Sequence, residues 1–129
     1  MNARTMYSRV AIEAELDSLA EARQVTGVVL RALRDRLMPE EAEQASAQLP
    51  TELKALWRAA PEAPHRPLRM HRRDFYERVK TEAGLASVRT AERATDAVFA
   101  ALKEQISGGE CDDILAQLPK DLKQVWVHA

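Results

Sequence analysis

One segment of this chain occurs twice, and this repetition limits the possible folds more than any other feature. The segment AQLPTELKALW at 47–57 returns as AQLPKDLKQVW at 116–126, an offset of 69 residues. Without any gap, the same offset aligns 6–57 with 75–126, and more than a third of the aligned positions are identical. Self-similarity over such a period is typical of chains built from copies of one supersecondary unit. The sequence therefore predicts an internal duplication.

The repeated segment itself has the pattern of a short amphipathic helix. Proline lacks an amide hydrogen and holds φ near the helical value, so Pro50 and Pro119 favour the first turn of a helix. The apolar positions that follow have the i, i+4, i+7, i+8 spacing of one buried helical face. We expect each tryptophan to fill the core of its half rather than to form a stacking platform for a ligand. The predicted core anchors are Leu49, Pro50, Leu53, Trp57, Leu118, Pro119, Leu122 and Trp126.

The remaining segments of each half also have helical periodicity. Candidate capping boxes at Ser18–Glu21, Asp74–Glu77 and Ser107–Glu110 predict helix starts, and Met38-Pro39 predicts another. No stretch alternates apolar and polar residues as a half-buried strand does. The expected fold is all-α and internally duplicated, with two four-helix lobes packed as one compact domain.

A connector rich in proline and arginine divides the chain. We expect a first helical repeat at 1–57, a connector at 58–73 and a second helical repeat at 74–129. A repeat of this size has only a marginal hydrophobic core of its own, so we expect the lobes to share an interface. Whether they pack about a pseudo-twofold axis or in tandem is left open at this level.

Composition is that of an ordinary globular protein, with 46% hydrophobic residues, 30% charged residues and a net charge of −1. No apolar run approaches the length of a membrane span, and the first residues lack the apolar region of a signal peptide. Cys111 is the single cysteine, which agrees with a reducing compartment. A cytoplasmic location without membrane association is the expectation.

The connector is the one compositional anomaly, because 58–73 holds five arginines against Glu62. Such a cluster could contact phosphates or an acidic partner, or it could bridge the two mildly acidic lobes. Binding to nucleic acid is disfavoured, since the charge occupies one short segment between acidic regions. The candidate binding residues are Arg66, Arg69, Arg72, Arg73 and Arg78.

Other chemistries have weak support in the sequence. No pair among the three histidines and Cys111 has zinc spacing, and no nucleophile–base pair or glycine-rich phosphate loop occurs. The glutamates shared by both halves, Glu41 and Glu110, are explained by helix capping, and Thr26 and Thr95 by bonds to a carbonyl one turn earlier. We therefore expect no catalytic residues, no metal site and no cofactor.

The doubled Gln-Leu-Pro-x-x-Leu-Lys-x-Leu/Val-Trp ending, with a connector that leads into Asp74-Phe75-Tyr76-Glu77-Arg78-Val79, resembles the bacterial family called domain of unknown function 2267. The resemblance covers almost the whole chain. It implies a small, duplicated, all-helical protein without an established activity, so it assigns no catalytic residues. Family members often have more aromatic residues after the first Leu-Trp, where this chain has Arg58-Ala59-Ala60.

These observations favour a non-enzymatic interaction or scaffold module over an enzyme. The partner expected is another protein, and self-association is left open. The alternative is a binder of a small ligand or nucleic acid at the inter-lobe groove and the basic connector.

Overall fold

The computed structural model describes residues 2–129, and every regular element in that range is a helix, as the sequence predicts. The eight helices are α1 (Ala3–Glu13), α2 (Leu19–Arg36), α3 (Pro39–Ala47), α4 (Thr51–Arg58), α5 (Arg72–Ala83), α6 (Val88–Lys103), α7 (Gly108–Gln117) and α8 (Lys120–His128).

Local capping signals set most of the helix starts. Ser18 accepts a hydrogen bond from the backbone N–H of Glu21 at 3.1 Å, and Ser107 accepts one from Glu110 at the same distance. These bonds satisfy amide groups that the first turn of a helix leaves without a partner. Proline precedes α4 and α8 as the N-cap residue, just outside the helix.

The start predicted for α5 is wrong by three residues. The helix begins at Arg72 with His71 as its N-cap, and Asp74 lies at the third helical position. The Asp74 carboxylate accepts the backbone N–H of His71 at 3.0 Å. Asp74 therefore caps the helix from inside the first turn, and the Asp74–Glu77 spacing is not the capping box.

The two halves of the chain have matching helices and reciprocal contacts. Each of α5 to α8 begins 69 residues after its counterpart among α1 to α4. Helix α1 packs against α6 of the other half, and α5 packs in the same way against α2. The equivalent pairs α2–α6 and α3–α7 also meet across the seam. This exchange of like contacts is the arrangement that a pseudo-twofold axis produces.

One continuous apolar core runs through both halves. Trp57 and Trp126 are each 2% exposed, and Phe99 packs edge-to-face against both Phe75 and Trp126. Of the predicted anchors, the four leucines are buried as well. The prolines are not core residues, because Pro50 is exposed and Pro119 is only half-buried.

A cation, the buried Arg34 in the first half and the half-buried Lys103 in the second, closes the C-terminal end of each tryptophan helix. Arg34 donates to the carbonyl oxygen of Trp57 at 2.8 Å, and Lys103, at the equivalent position of the second half, donates to that of Trp126 at 2.7 Å. Positive groups are favourable at this end, where carbonyl groups lack helical partners. The cation therefore fixes α4 and α8 against the long helix of the same half.

No helix among the described residues is both long enough and apolar enough to cross a bilayer.

Candidate functional site

Two glutamines cap helices across the seam between α3 and α7, each one capping a helix of the opposite half. The backbone N–H of Ser107, the N-cap residue of α7, donates to Gln48 Oε1 at 2.7 Å. The backbone N–H of Met38, the N-cap residue of α3, donates to Gln117 Oε1 at the same distance. These glutamines belong to the doubled AQLP segment. The repeated motif thus holds the two halves together at their helix N-termini.

This exchange removes the role that the sequence assigned to Glu41 and Glu110. In a capping box, the glutamate at the third helical position accepts the N–H of the N-cap residue. Here the glutamines accept those N–H groups, so the interpretation of both glutamates as reciprocal caps is wrong. Their side chains are instead buried at the seam, with 9% of Glu41 and 5% of Glu110 exposed.

The seam contains a cluster of three carboxylates. Oxygen atoms of Glu41, Glu110 and the exposed Asp113 all lie within 4.8 Å of one another. Buried oxygens Oε1 of Glu41 and Oε2 of Glu110 have no hydrogen-bond partner among the described residues, while Glu110 Oε1 accepts from Gln48 at 3.4 Å. Burial, together with the negative charge of Asp113, raises the pKa of the Glu41 carboxyl. These are the residues that could hold a metal ion.

The connector forms a second candidate site, and buried polar contacts fix its course. Arg34 donates to the carbonyl oxygens of Ala59 at 3.0 Å and Pro61 at 2.8 Å. Farther along, the N–H of Leu68 donates to the carbonyl oxygen of Asp35 at 2.8 Å, and Met70 is buried in the core. The connector is therefore held against the C-terminal end of α2 rather than free in solvent.

A cleft of about 500 Å³ lies where the connector meets the end of α2 and the start of α3. Its apolar surface includes Met38, 47% exposed, and Leu68, 43% exposed. Arg36, Arg66 and Arg69 line the same cleft. Pro67 and His65 complete the lining. We call this surface the connector cleft.

Among the arginines that line the connector cleft, Arg36 is the one with a buried donor atom that lacks a partner in the described part of the chain. Its Nε atom is buried and has no hydrogen-bond acceptor among residues 2–129. Burial lowers the pKa of its guanidinium. A buried donor without a partner costs free energy unless a ligand or water supplies the acceptor.

A smaller cleft of about 290 Å³ adjoins the connector on its other side. It lies between 62–65, the end of α2 and helices α3 and α4, and includes Trp57 in its lining. Arg58 at its rim pairs with Glu43. The two clefts share His65.

The structure separates the five arginines that the sequence grouped. Arg66 and Arg69 lie at the connector cleft. Arg72 and Arg73 are exposed in the first turn of α5 and are not part of that lining. Arg78 is largely buried and pairs with Asp35 at 2.7 Å and with Glu82 at 2.6 Å, so its guanidinium joins α5 to α2.

Sequence reasoning missed Arg36, Met38 and the buried Arg34. The pairing of Arg34 with Lys103 at the offset of 69 was a usable signal, since it is one of few basic positions that both halves share. Arg36 aligns with Gln105 and gave no such signal. Only the course of the connector brings Arg36 and Met38 to the other cleft residues.

Other predicted details have mixed outcomes. Thr95 donates to the carbonyl oxygen of Ala91 at 2.8 Å as predicted, but the buried hydroxyl of Thr26 has no such partner among the described residues. Cys111 is half-buried, and burial raises the pKa of its thiol. A raised thiol pKa lowers the thiolate fraction and makes the side chain a poor nucleophile.

Comparison with known proteins supports the family resemblance. No curated protein matches this sequence. The family model described as "Uncharacterized conserved protein (DUF2267)" matches residues 3–125, nearly the whole chain. The protein therefore belongs to the DUF2267 family.

Proposed function

We propose that this protein is a non-enzymatic interaction module that binds an acidic segment of another protein at the connector cleft. The observation that carries the proposal is the combination of exposed apolar side chains, Met38 and Leu68, with the cations Arg36, Arg66 and Arg69. Interfaces commonly combine apolar and arginine contacts in this way.

Charge complementarity selects the occupant. An acidic segment with apolar side chains would place carboxylates against the arginines and an apolar group against Met38 and Leu68. Arg36 Nε gains the acceptor that it lacks. Charged hydrogen bonds to a guanidinium are stronger than neutral ones and add geometric specificity.

A nucleic acid would fit this surface less well. The cations of the connector cleft, Arg36, Arg66 and Arg69, form one short patch, and the chain as a whole carries a charge of −1. Phosphate backbones are bound by extended basic surfaces that neutralise several phosphates at once. The two exposed apolar side chains in the lining of the same cleft, Met38 and Leu68, also favour a protein segment.

The chain is organised as two lobes joined by the connector. We infer that 1–57 and 74–129 are two four-helix lobes packed as one domain, with 58–73 as the connector between them. The reciprocal contacts of α1 with α6 and of α5 with α2 support this division. The connector packs against the end of α2 in the first lobe, so the two lobes differ there. The binding surface would lie at this point of difference. The single cysteine supports a cytoplasmic location.

Fluorescence anisotropy with a short labelled peptide tests the proposal. In the probe, two leucines alternate with two glutamates along the peptide. The matched control peptide has glutamine at every glutamate position. We expect the acidic peptide to bind at least tenfold more tightly than the control. The double variant Arg66→Gln, Arg69→Gln should weaken binding about tenfold, the equivalent of ~1.4 kcal/mol.

The double variant Arg72→Gln, Arg73→Gln is the matched control, because it removes the same charge outside the cleft. We expect its affinity to stay within about twofold of the parent. Equal losses in both double variants, or equal binding of the two peptides, would contradict a defined acidic-segment site. Submicromolar binding of a mixed DNA and RNA pool at physiological salt, lost when the connector arginines are removed, would favour the nucleic-acid alternative instead.

A further inference from the structure

We propose that Glu41, Glu110 and Asp113 form a binding site for a hard divalent cation at the seam between α3 and α7. The site is distinct from the connector cleft and independent of what binds there. It joins one carboxylate of the first half to two of the second.

The two glutamates are built into the seam rather than placed on a solvated face. Both are more than nine-tenths buried, and each has a buried carboxylate oxygen without a hydrogen-bond partner among the described residues. One carboxylate oxygen of each glutamate and one of Asp113 lie within 4.8 Å of one another. A buried carboxylate normally has its acceptors filled, so an unfilled buried oxygen on each of two clustered glutamates indicates a missing partner.

Nothing else in the described chain supplies that partner. The N–H groups that would have bonded to Glu41 and Glu110 donate to Gln117 and Gln48. Within residues 2–129, no ion pair joins Glu41, Glu110 or Asp113 to a lysine, arginine or histidine. Buried charges without pairing cost several kcal/mol each, and a divalent cation is the partner that matches three converging carboxylates.

The donor set selects the class of ion. All three side chains offer oxygen, which suits Ca²⁺, Mg²⁺ and Mn²⁺ rather than softer metals. Oxygens on opposite sides of a Ca²⁺ ion are about 4.6 to 5.2 Å apart, whereas Mg²⁺ requires about 4.2 Å. All three oxygen separations are within 4.8 Å, so the cluster is no wider than the coordination shell of Ca²⁺, the larger and more adaptable of the two ions. The exposed Asp113 provides an open side for entry and for the waters that complete the coordination.

The position of the site gives it a consequence for the fold. Glu41 and Glu110 are at equivalent positions in the first turns of α3 and α7, so the ion would tie equivalent helices of the two halves. A ligand that binds only the folded state stabilises it in proportion to the logarithm of its concentration. The cation should therefore act as a clamp on the seam.

Thermal unfolding of EDTA-treated protein tests the site, with Ca²⁺, Mg²⁺ or Mn²⁺ added at about 1 mM and ionic strength matched by NaCl. We expect the largest rise in melting temperature with Ca²⁺. The rise should be about 10 °C if the ion is present at about one hundred times its Kd. Binding of Mn²⁺ is measured separately by the loss of its free-ion paramagnetic resonance signal.

The variants Glu41→Gln and Glu110→Gln remove one ligand each and should lose the cation-induced rise and the Mn²⁺ binding. Asp112→Asn is the matched control, because this exposed carboxylate on α7 lies outside the cluster. It should respond to the cations as the parent does. Circular dichroism checks that every variant folds.

A parent protein that responds no more than Glu110→Gln would overturn the proposal. In that case, a higher melting temperature of the glutamine variants without any cation would identify the pair as carboxyls that share a proton. A response that survives in both glutamine variants would place the ion elsewhere and would also overturn it.

Discussion

The buried Arg34 makes the most demanding prediction about stability. Its guanidinium bonds to the carbonyl oxygens of Trp57, Ala59 and Pro61 and to the Asp35 carboxylate at 2.8 Å. Replacement by methionine keeps an unbranched apolar chain in place of the arginine stem and removes the charged guanidinium group. The change therefore tests the polar contacts with little loss of packing volume.

The expected loss can be worked from these contacts. Breaking a buried ion pair costs roughly 3–5 kcal/mol, and a hydrogen bond from a charged group contributes about 1.5–3 kcal/mol. Asp35 keeps its pair with Arg78 at 2.7 Å, and the Ala59 and Pro61 bonds are only partly buried, so the lower part of these ranges applies. We expect Arg34→Met to lower the free energy of unfolding by about 3–4 kcal/mol. That corresponds to a melting temperature roughly 11–15 °C lower for a chain of this length.

The equivalent position in the second half provides the comparison. Lys103 donates to two main-chain oxygen atoms, those of Trp126 and Ala129. We expect Lys103→Met to cost about 1–2 kcal/mol. Arg34→Lys should cost about as much, because one ammonium group cannot span the three carbonyls that the guanidinium fork reaches.

Urea denaturation gives the free energies, and limited proteolysis follows the connector. Arg34→Met should expose 59–67 to cleavage, while Lys103→Met should not. A loss below about 1 kcal/mol for Arg34→Met, or no more than for Lys103→Met, would refute the assignment of Arg34 as the anchor of the connector.

Three further predictions concern the core, the seam and one strained residue. Trp57→Ala and Trp126→Ala should each lower the free energy of unfolding by roughly 3–5 kcal/mol in thermal melts, the usual effect of emptying a large aromatic core site. A loss below about 1 kcal/mol would show that the tryptophan is not a core residue. Gln48→Ala and Gln117→Ala should each lower the free energy of unfolding by about 1 kcal/mol in urea denaturation, because each removes a 2.7 Å hydrogen bond to a helix N-terminus across the seam. Gln48 also donates to Glu110 at 3.4 Å, so its loss should be the larger of the two, and a larger loss for Gln117→Ala would contradict the arrangement. Glu15 has a left-handed φ of 55°, so Glu15→Gly should raise the free energy of unfolding by about 0.5–1 kcal/mol, and a loss of stability would show that its side chain compensates for the strain.

The binding and stability predictions are separable. The connector arginines Arg66 and Arg69 are exposed, so their removal should change peptide binding without a comparable change in melting temperature. The seam glutamates are buried, so their substitution should change melting temperature and cation response without changing peptide binding. If substitution of Arg66 and Arg69 changed the cation response, or substitution of the seam glutamates changed peptide binding, the connector cleft and the seam would be coupled.

The sequence by itself determined the helices and most of their ends. Caps such as Ser18 and Ser107, and prolines before α4 and α8, act within one helical turn and are visible as spacing. The burial of Trp57 and Trp126 followed from the apolar periodicity of their own segments. These features could be predicted because their causes lie within a few residues of the chain.

Only the tertiary structure decided what the polar residues do. Gln48 and Gln117 cap helices of the opposite half, and this exchange leaves Glu41 and Glu110 buried without the caps that local spacing suggested. Arg36 joined the connector cleft because the connector returns to the end of α2. A hydrogen bond or ion pair can join residues far apart in sequence, and its partners are fixed by the packing of whole helices. Local spacing therefore predicts where a helix begins, whereas the packing of the two halves determines which carboxylates and guanidinium groups are left for a ligand.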